Sequence, residues 1–138
     1  MCGFVRDEET SALGRKATQH KRSGDLDGAI DTLYLMRDRL MVSPVHYPMP
    51  EWLRLPLLLQ AAGRMEEAMG AFQWLRDDLP RRAAKESFLH DPSTSFGKTP
   101  KRTIYNQIVR HAEKSITAAI QLAMTREERR LKRASNAR

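Results

Sequence analysis

A chain of 138 residues has room for one hydrophobic core and not for a second. With 41% hydrophobic and 30% charged residues it falls among globular chains rather than disordered ones, and no apolar run reaches the roughly 18 residues that a membrane span requires. The net charge of +7 is confined to one half: residues 1–80 hold 10 Lys/Arg against 12 Asp/Glu, whereas residues 81–138 hold 14 against 5.

The start, MCGFVRDEET, has neither the basic n-region nor the apolar h-region of a signal peptide, so the expectation is a cytoplasmic protein. Cys2 is the only cysteine, which leaves no disulfide framework and reads as an exposed thiol in a frayed terminus. From about Glu9 to Arg22, Leu13, Ala17 and His20 follow helical spacing. Ser23-Gly24-Asp25 then stops the helix and restarts the chain, with Gly24 suited to the left-handed position and Asp25 to an N-cap. The second helix places Leu26, Ala29, Ile30, Leu33, Met36 and Leu40 on one stripe and ends near Ser43-Pro44. Three prolines between Pro44 and Pro50 make a stiff extended connection, and Pro50 serves as the first residue of a third helix running to Ala62. Pro56 falls inside that helix and predicts a kink or a delayed start. Gly63 repeats the role of Gly24, and the fourth helix carries Met65, Ala68, Met69, Phe72 and Leu75 before finishing at Leu79-Pro80, with a short continuation through RRAAKESFL as the alternative. HDPSTSFGKTP is a loop by composition. Thr99-Pro100 marks a helix start, after which Ile104, Ile108, Ala112, Ile116, Ala119, Ile120 and Ala123 share one side. Thr125-x-x-Glu128 matches a capping box, so the chain restarts there or continues as a fraying helix to about Arg133.

The chain also repeats itself. Gly24, Ala29, Arg37, Asp38 and Leu40 recur 39 residues later as Gly63, Ala68, Arg76, Asp77 and Leu79, and an internal repeat of this length points to stacked helical pairs. Trp52, Leu55, Ala68, Phe72 and Pro80 fall on the pattern W-x2-L-G-x2-Y, A-x3-F and P, so the segment from Trp52 to Pro80 resembles a tetratricopeptide repeat. Pro56 stands where the pattern has Gly, and Leu59 where it has Tyr. The first copy keeps Leu13, Ala17, Ala29 and Leu33 in register but has Lys16 and His20 in place of Leu and Tyr. The proline-rich connector supplies the five residues by which the offset exceeds the family's unit of about 34.

The resemblance implies an all-α fold in one helical domain: two tetratricopeptide-like antiparallel hairpins over 9–80, a linker with a loop over 81–99, a capping or dimerisation helix over 100–124, and a basic, partly frayed tail over 125–138. Two repeats are fewer than such arrays need for a continuous core, so the last helix or a second copy of the chain must cover the open end. The resemblance further implies a groove lined by the first helix of each pair. By register its residues are Thr18, Lys21 and Arg22 from one repeat and Leu53, Leu57 and Gln60 from the other, a mixed basic and apolar set suited to an amphipathic segment of a partner protein. No Asn stands at those places, so the carboxylate-clamping ligand of the family's chaperone-binding members is not carried over.

Catalysis is not expected. His20, His46, His90 and His111 form no metal-ligand pair, and Gly97-Lys98-Thr99 lacks the upstream glycine and strand of a phosphate loop, so no cofactor or metal is expected either. Glu66-Glu67 and Asp77-Asp78 diverge on helices and read as solvated faces. The expected activity is therefore that of an adaptor, inhibitor or regulator. The alternative uses the basic half: Lys98, Lys101, Arg102, Arg126, Arg129, Arg130, Lys132 and Arg133 could contact nucleic-acid phosphates or an acidic partner, although stacking aromatics are scarce there.

Overall fold

The computed structural model describes residues 7–43, 47–87 and 101–137, with the side chains of 84–87 and 101–105 left undescribed. Among these residues the chain is all-α: α1 Glu8–Arg22, α2 Leu26–Val42, α3 Met49–Ala61, α4 Met65–Ser87 and α5 Lys101–Asn136, with no strand. No helix among them is long and apolar enough to cross a membrane. The chain divides into two compact units, Met1–Ala68 and Met69–Arg138.

In the first unit α1 and α2 form an antiparallel hairpin. Asp7 caps α1, its carboxylate accepting from the Thr10 backbone N–H at 3.1 Å and the Thr10 hydroxyl at 2.6 Å. Hydrogen bonds from Ser43, at the far end of α2, and from Thr10 hold the Asp7 carboxyl below its ordinary value. The same end is pinned by the Glu9–Arg39 ion pair. At the other end Gly24 takes φ +85°, which lets Asp25 N–H reach His20 O at 2.8 Å and Gly24 N–H reach Lys21 O at 3.1 Å. Thirty-nine residues on, Gly63 takes φ +80°, with Arg64 N–H on Leu59 O at 2.9 Å and Gly63 N–H on Gln60 O at 3.0 Å. The sequence repeat is thus a repeat of backbone geometry at both turns.

Ala17, Ala29, Ile30, Leu33, Met36 and Leu40 are buried on the first hairpin, and Trp52, Leu55, Leu58 and Leu59 on α3. Each large apolar side chain so buried contributes about 1.5–3 kcal/mol. Pro56 does not interrupt α3, which runs unbroken from Met49 to Ala61 with Pro50 in its first turn. The ring is itself buried, so the lost backbone donor is offset by apolar contact.

The second unit holds α4 from Met69 onward and α5. Phe72, Leu75, Leu79 and Ala83 form a buried stripe on α4, and Ala112, Ile116, Ala119 and Ala123 form one on α5. Arg76 Nη2 donates to Thr117 Oγ1 at 3.0 Å, joining the two helices. Pro80 does not end α4, which continues to Ser87. Consequently Asp78 is mid-helix and is not a solvated end group: its side chain is 9% exposed, and it accepts from Arg81 at 2.7 Å and pairs with the buried Arg82 at 3.3 Å. Asp77 is exposed and accepts from Gln73. Of the two alternatives at Thr125, the structure takes the continuing helix, which runs past Arg133 to Asn136. Thr125 Oγ1 donates to Gln121 O at 2.9 Å inside a continuous α5, whose last turns are rich in strong helix formers and carry the Glu127–Arg130 pair.

Candidate partner-binding cleft

Arg54 organises a concavity on one face of the first unit, lined from α1, α2 and α3. It is the sole cation in α3, MPEWLRLPLLLQA, and stands one turn after Glu51, the helix's sole acid. Its Nη2 donates at 3.1 Å both to the Gly14 carbonyl and to the Thr18 hydroxyl of α1. Its Nη1 makes only long approaches, 3.5 Å to Glu51 Oε2 and 3.9 Å to Met36 Sδ. Gly14 leaves room for the guanidinium at this crossing: a Cβ there would lie 3.1 Å from Arg54 Nη1 and 3.4 Å from Met36 Cε, so either side chain would have to shift by a few tenths of an ångström. The resulting cleft of about 440 Å³ opens between α1 and the start of α3. Ser11, Gly14, Arg15 and Thr18 form one wall, Glu51 and Arg54 the other, and Met36, Tyr47 and Pro48 the remainder.

Of the six groove residues expected from register, only Thr18 lines this cleft, half-buried and already bonded to Arg54. Lys21 and Arg22 are exposed on the last turn of α1. Leu57 is half-buried, whereas Leu53 and Gln60 are buried at 8% and 3% exposure. Gln60 Oε1 has no hydrogen-bond partner among the described residues. The residues that sequence reasoning missed, Arg54 above all, carry a legible signal: an isolated Glu/Arg pair at a three-residue spacing in an otherwise apolar helix.

A second polar cluster lies between α2 and the start of α4. Tyr34 Oη donates to Glu67 Oε2 at 2.7 Å, Arg64 Nη2 donates to both Glu67 oxygens at 2.9 Å, and Arg37 sits 5.1 Å over the Tyr34 ring. Burial, reinforced by the bond to Glu67, raises the Tyr34 hydroxyl above its ordinary value, while the bonds from Tyr34 and Arg64 lower the Glu67 carboxyl. Glu67 is therefore tied into a network, in contrast to the solvated face expected of it. His20 Nδ1 lies 3.0 Å from Asp25 Oδ2, beside the turn, and His111 is exposed.

In the basic half, Arg126, Arg129, Arg130, Lys132 and Arg133 all project from α5 as exposed side chains. Lys101 and Arg102 belong to the first turn of α5, within the segment whose side chains are not described; Cys2, His46, His90, Lys98 and the expected start at Thr99-Pro100 lie outside the described residues. No group of three or more His, Cys, Asp or Glu among the described residues is placed to hold a metal ion.

These features define an all-α chain with a mixed polar and apolar cleft on one unit and a cationic helix on the other. No protein-family model, curated protein or solved structure matches it.

Proposed function

We propose that this chain is a non-catalytic protein-interaction module of tetratricopeptide-like design, working in the cytoplasm as an adaptor, inhibitor or regulator. The cleft between α1 and α3 receives a segment of the partner protein. The observation that carries the reading is the arrangement at Arg54, a residue of the cleft lining: one terminal nitrogen spends two donors on holding α1 to α3, and the other has longer contacts of 3.5 Å to Glu51 and 3.9 Å to Met36. A partner carboxylate or carbonyl there would gain a charge-assisted hydrogen bond that the free chain leaves largely unmade. Met36, Tyr47 and Pro48 supply apolar contact around it.

The test is site-specific photo-crosslinking in the native host. A benzophenone amino acid at Arg15, on the cleft wall, should crosslink a discrete partner that mass spectrometry identifies, and the same group at the exposed Asp38 should not. Equal yields at both positions, or none at Arg15, would refute the cleft assignment.

A further inference from the structure

We propose that the C-terminal half of α5 is a phosphate-binding helix that docks in the major groove of duplex DNA, independently of the cleft on the first unit. From Met124 to Ala137 every side chain except Glu127 is exposed, so about 20 Å of continuous helix presents itself to a ligand. Arg126, Arg129, Arg130 and Arg133 follow the three- and four-residue spacing that places them on one face, over an axial length of about 10 Å. Glu127 engages Arg130 at 2.5 Å, but Arg126, Arg129 and Arg133 form no ion pair with any described residue. Lys132 lies one step round the helix from Arg133, toward the opposite wall of a groove.

The chemistry favours a polyanion over other occupants. Four of the five cations are arginines, whose planar forks match phosphate oxygens and are weakly hydrated. A membrane-surface helix needs a broad apolar face, and the only large apolar side chains here are Met124 and Leu131, with Glu127 and Glu128 between them. A protein interface needs a desolvated apolar centre, which the arginine face lacks apart from Leu122 at its edge. Phosphate binding needs neither, since counterion release supplies its free energy. Among duplexes, the major groove of B-form DNA, about 12 Å wide, admits a helix of 10–12 Å diameter, and the deep narrow groove of A-form RNA does not.

The experiment is fluorescence anisotropy of the full chain with a labelled DNA duplex of mixed sequence, titrated from 50 to 200 mM salt. Three to four phosphate contacts predict that affinity falls roughly 40- to 150-fold over that range. Arg129→Gln with Arg133→Gln should reduce the slope of log K against log salt by about two, while Arg110→Gln with Lys114→Gln, on exposed positions of another face of α5, should leave it unchanged. Glutamine keeps a high helix propensity, so far-UV circular dichroism should be superimposable for all three chains. Absence of binding at 50 mM salt, equal loss from both double variants, tighter binding of duplex RNA, or equal binding of polyglutamate would each overturn the proposal.

Discussion

Replacing Arg54 by leucine asks whether the cleft depends on one side chain. Arg54 is 29% exposed and donates twice at 3.1 Å, to Gly14 O and Thr18 Oγ1. A hydrogen bond from a charged donor contributes about 1.5–3 kcal/mol. Solvent at the cleft mouth lowers that to about 1.2 kcal/mol each, and neither acceptor is orphaned by the change, because Thr18 Oγ1 itself donates to Gly14 O at 3.1 Å. The 3.5 Å approach to Glu51 adds about 0.5 kcal/mol at this exposure. Leucine returns about 1 kcal/mol through apolar burial. The expected loss is therefore about 2 kcal/mol for Arg54→Leu and about 1 kcal/mol for Thr18→Val, with a coupling of about 1 kcal/mol between them. Urea unfolding of the four members of this double-mutant cycle, followed by far-UV circular dichroism, measures all three quantities. A coupling below about 0.3 kcal/mol would mean that the Arg54–Thr18 contact does not hold α1 to α3, and a loss for Arg54→Leu below about 0.5 kcal/mol as well would remove the bond to the Gly14 carbonyl from the account and with it the argument from Arg54 to the cleft.

The two turn glycines make a matched pair. Nothing lies within 4 Å of a Cβ added at either Gly24 or Gly63, so alanine at each should cost only the left-handed backbone penalty, about 1–2 kcal/mol, with asparagine recovering part of it; unequal losses in chemical denaturation would contradict the geometric repeat. Asp78→Asn removes a carboxylate paired with both Arg81 and the buried Arg82 and should cost about 1–3 kcal/mol, against no more than about 0.5 kcal/mol for Asp77→Asn at the neighbouring exposed position, and equal melting temperatures for the two variants would rule out the ion-pair assignment. Asp7 and Glu67 both have folded values below their ordinary 3.8 and 4.5, so the stability they contribute is present above those values and is lost as pH falls through the lower folded ones. Tyr34, raised above 10.0, contributes stability that is complete below that value and lost as pH rises through its higher folded one. Melting temperature measured against pH should therefore fall on both flanks, and Glu67→Gln should lessen both without abolishing either, since it removes one titrating acid and the part of the Tyr34 shift that Glu67 adds to burial, while Asp7 and the burial of Tyr34 remain; an unchanged alkaline flank would show that Glu67 does not act on Tyr34.

What was legible in the sequence was the part governed by local rules. Gly24 and Gly63, the N-cap Asp25, and the apolar stripes of α2 and α5 are determined by a few neighbouring residues, and periodicity or capping chemistry finds them, whereas the cap at Asp7 lies two residues before the helix start expected near Glu9. The errors fall where a local rule met a tertiary compensation. Leu79-Pro80 predicts a helix end, yet α4 runs through Pro80 to bring Arg81 and Arg82 onto Asp78, whereas α3 contains Pro56 at close to its expected extent. Register carried over from a repeat fixes which helix faces a groove, but a rotation of one residue, about 100°, separates the buried Leu53 from the cleft residue Arg54. Which of the two meets α1 shows in the bond from the Arg54 guanidinium to the Gly14 carbonyl, and such a contact 40 residues away has no signature in spacing. A lone cation in an apolar helix is nevertheless an unsatisfied charge in search of acceptors, and asking where its five N–H groups could go would have directed attention to Arg54 before Leu53. The same question applied to α5 gives the opposite answer: Arg126, Arg129 and Arg133 have no acceptors in the described structure and remain in water. The two kinds of arginine thus separate a side chain that builds the fold from side chains that do not.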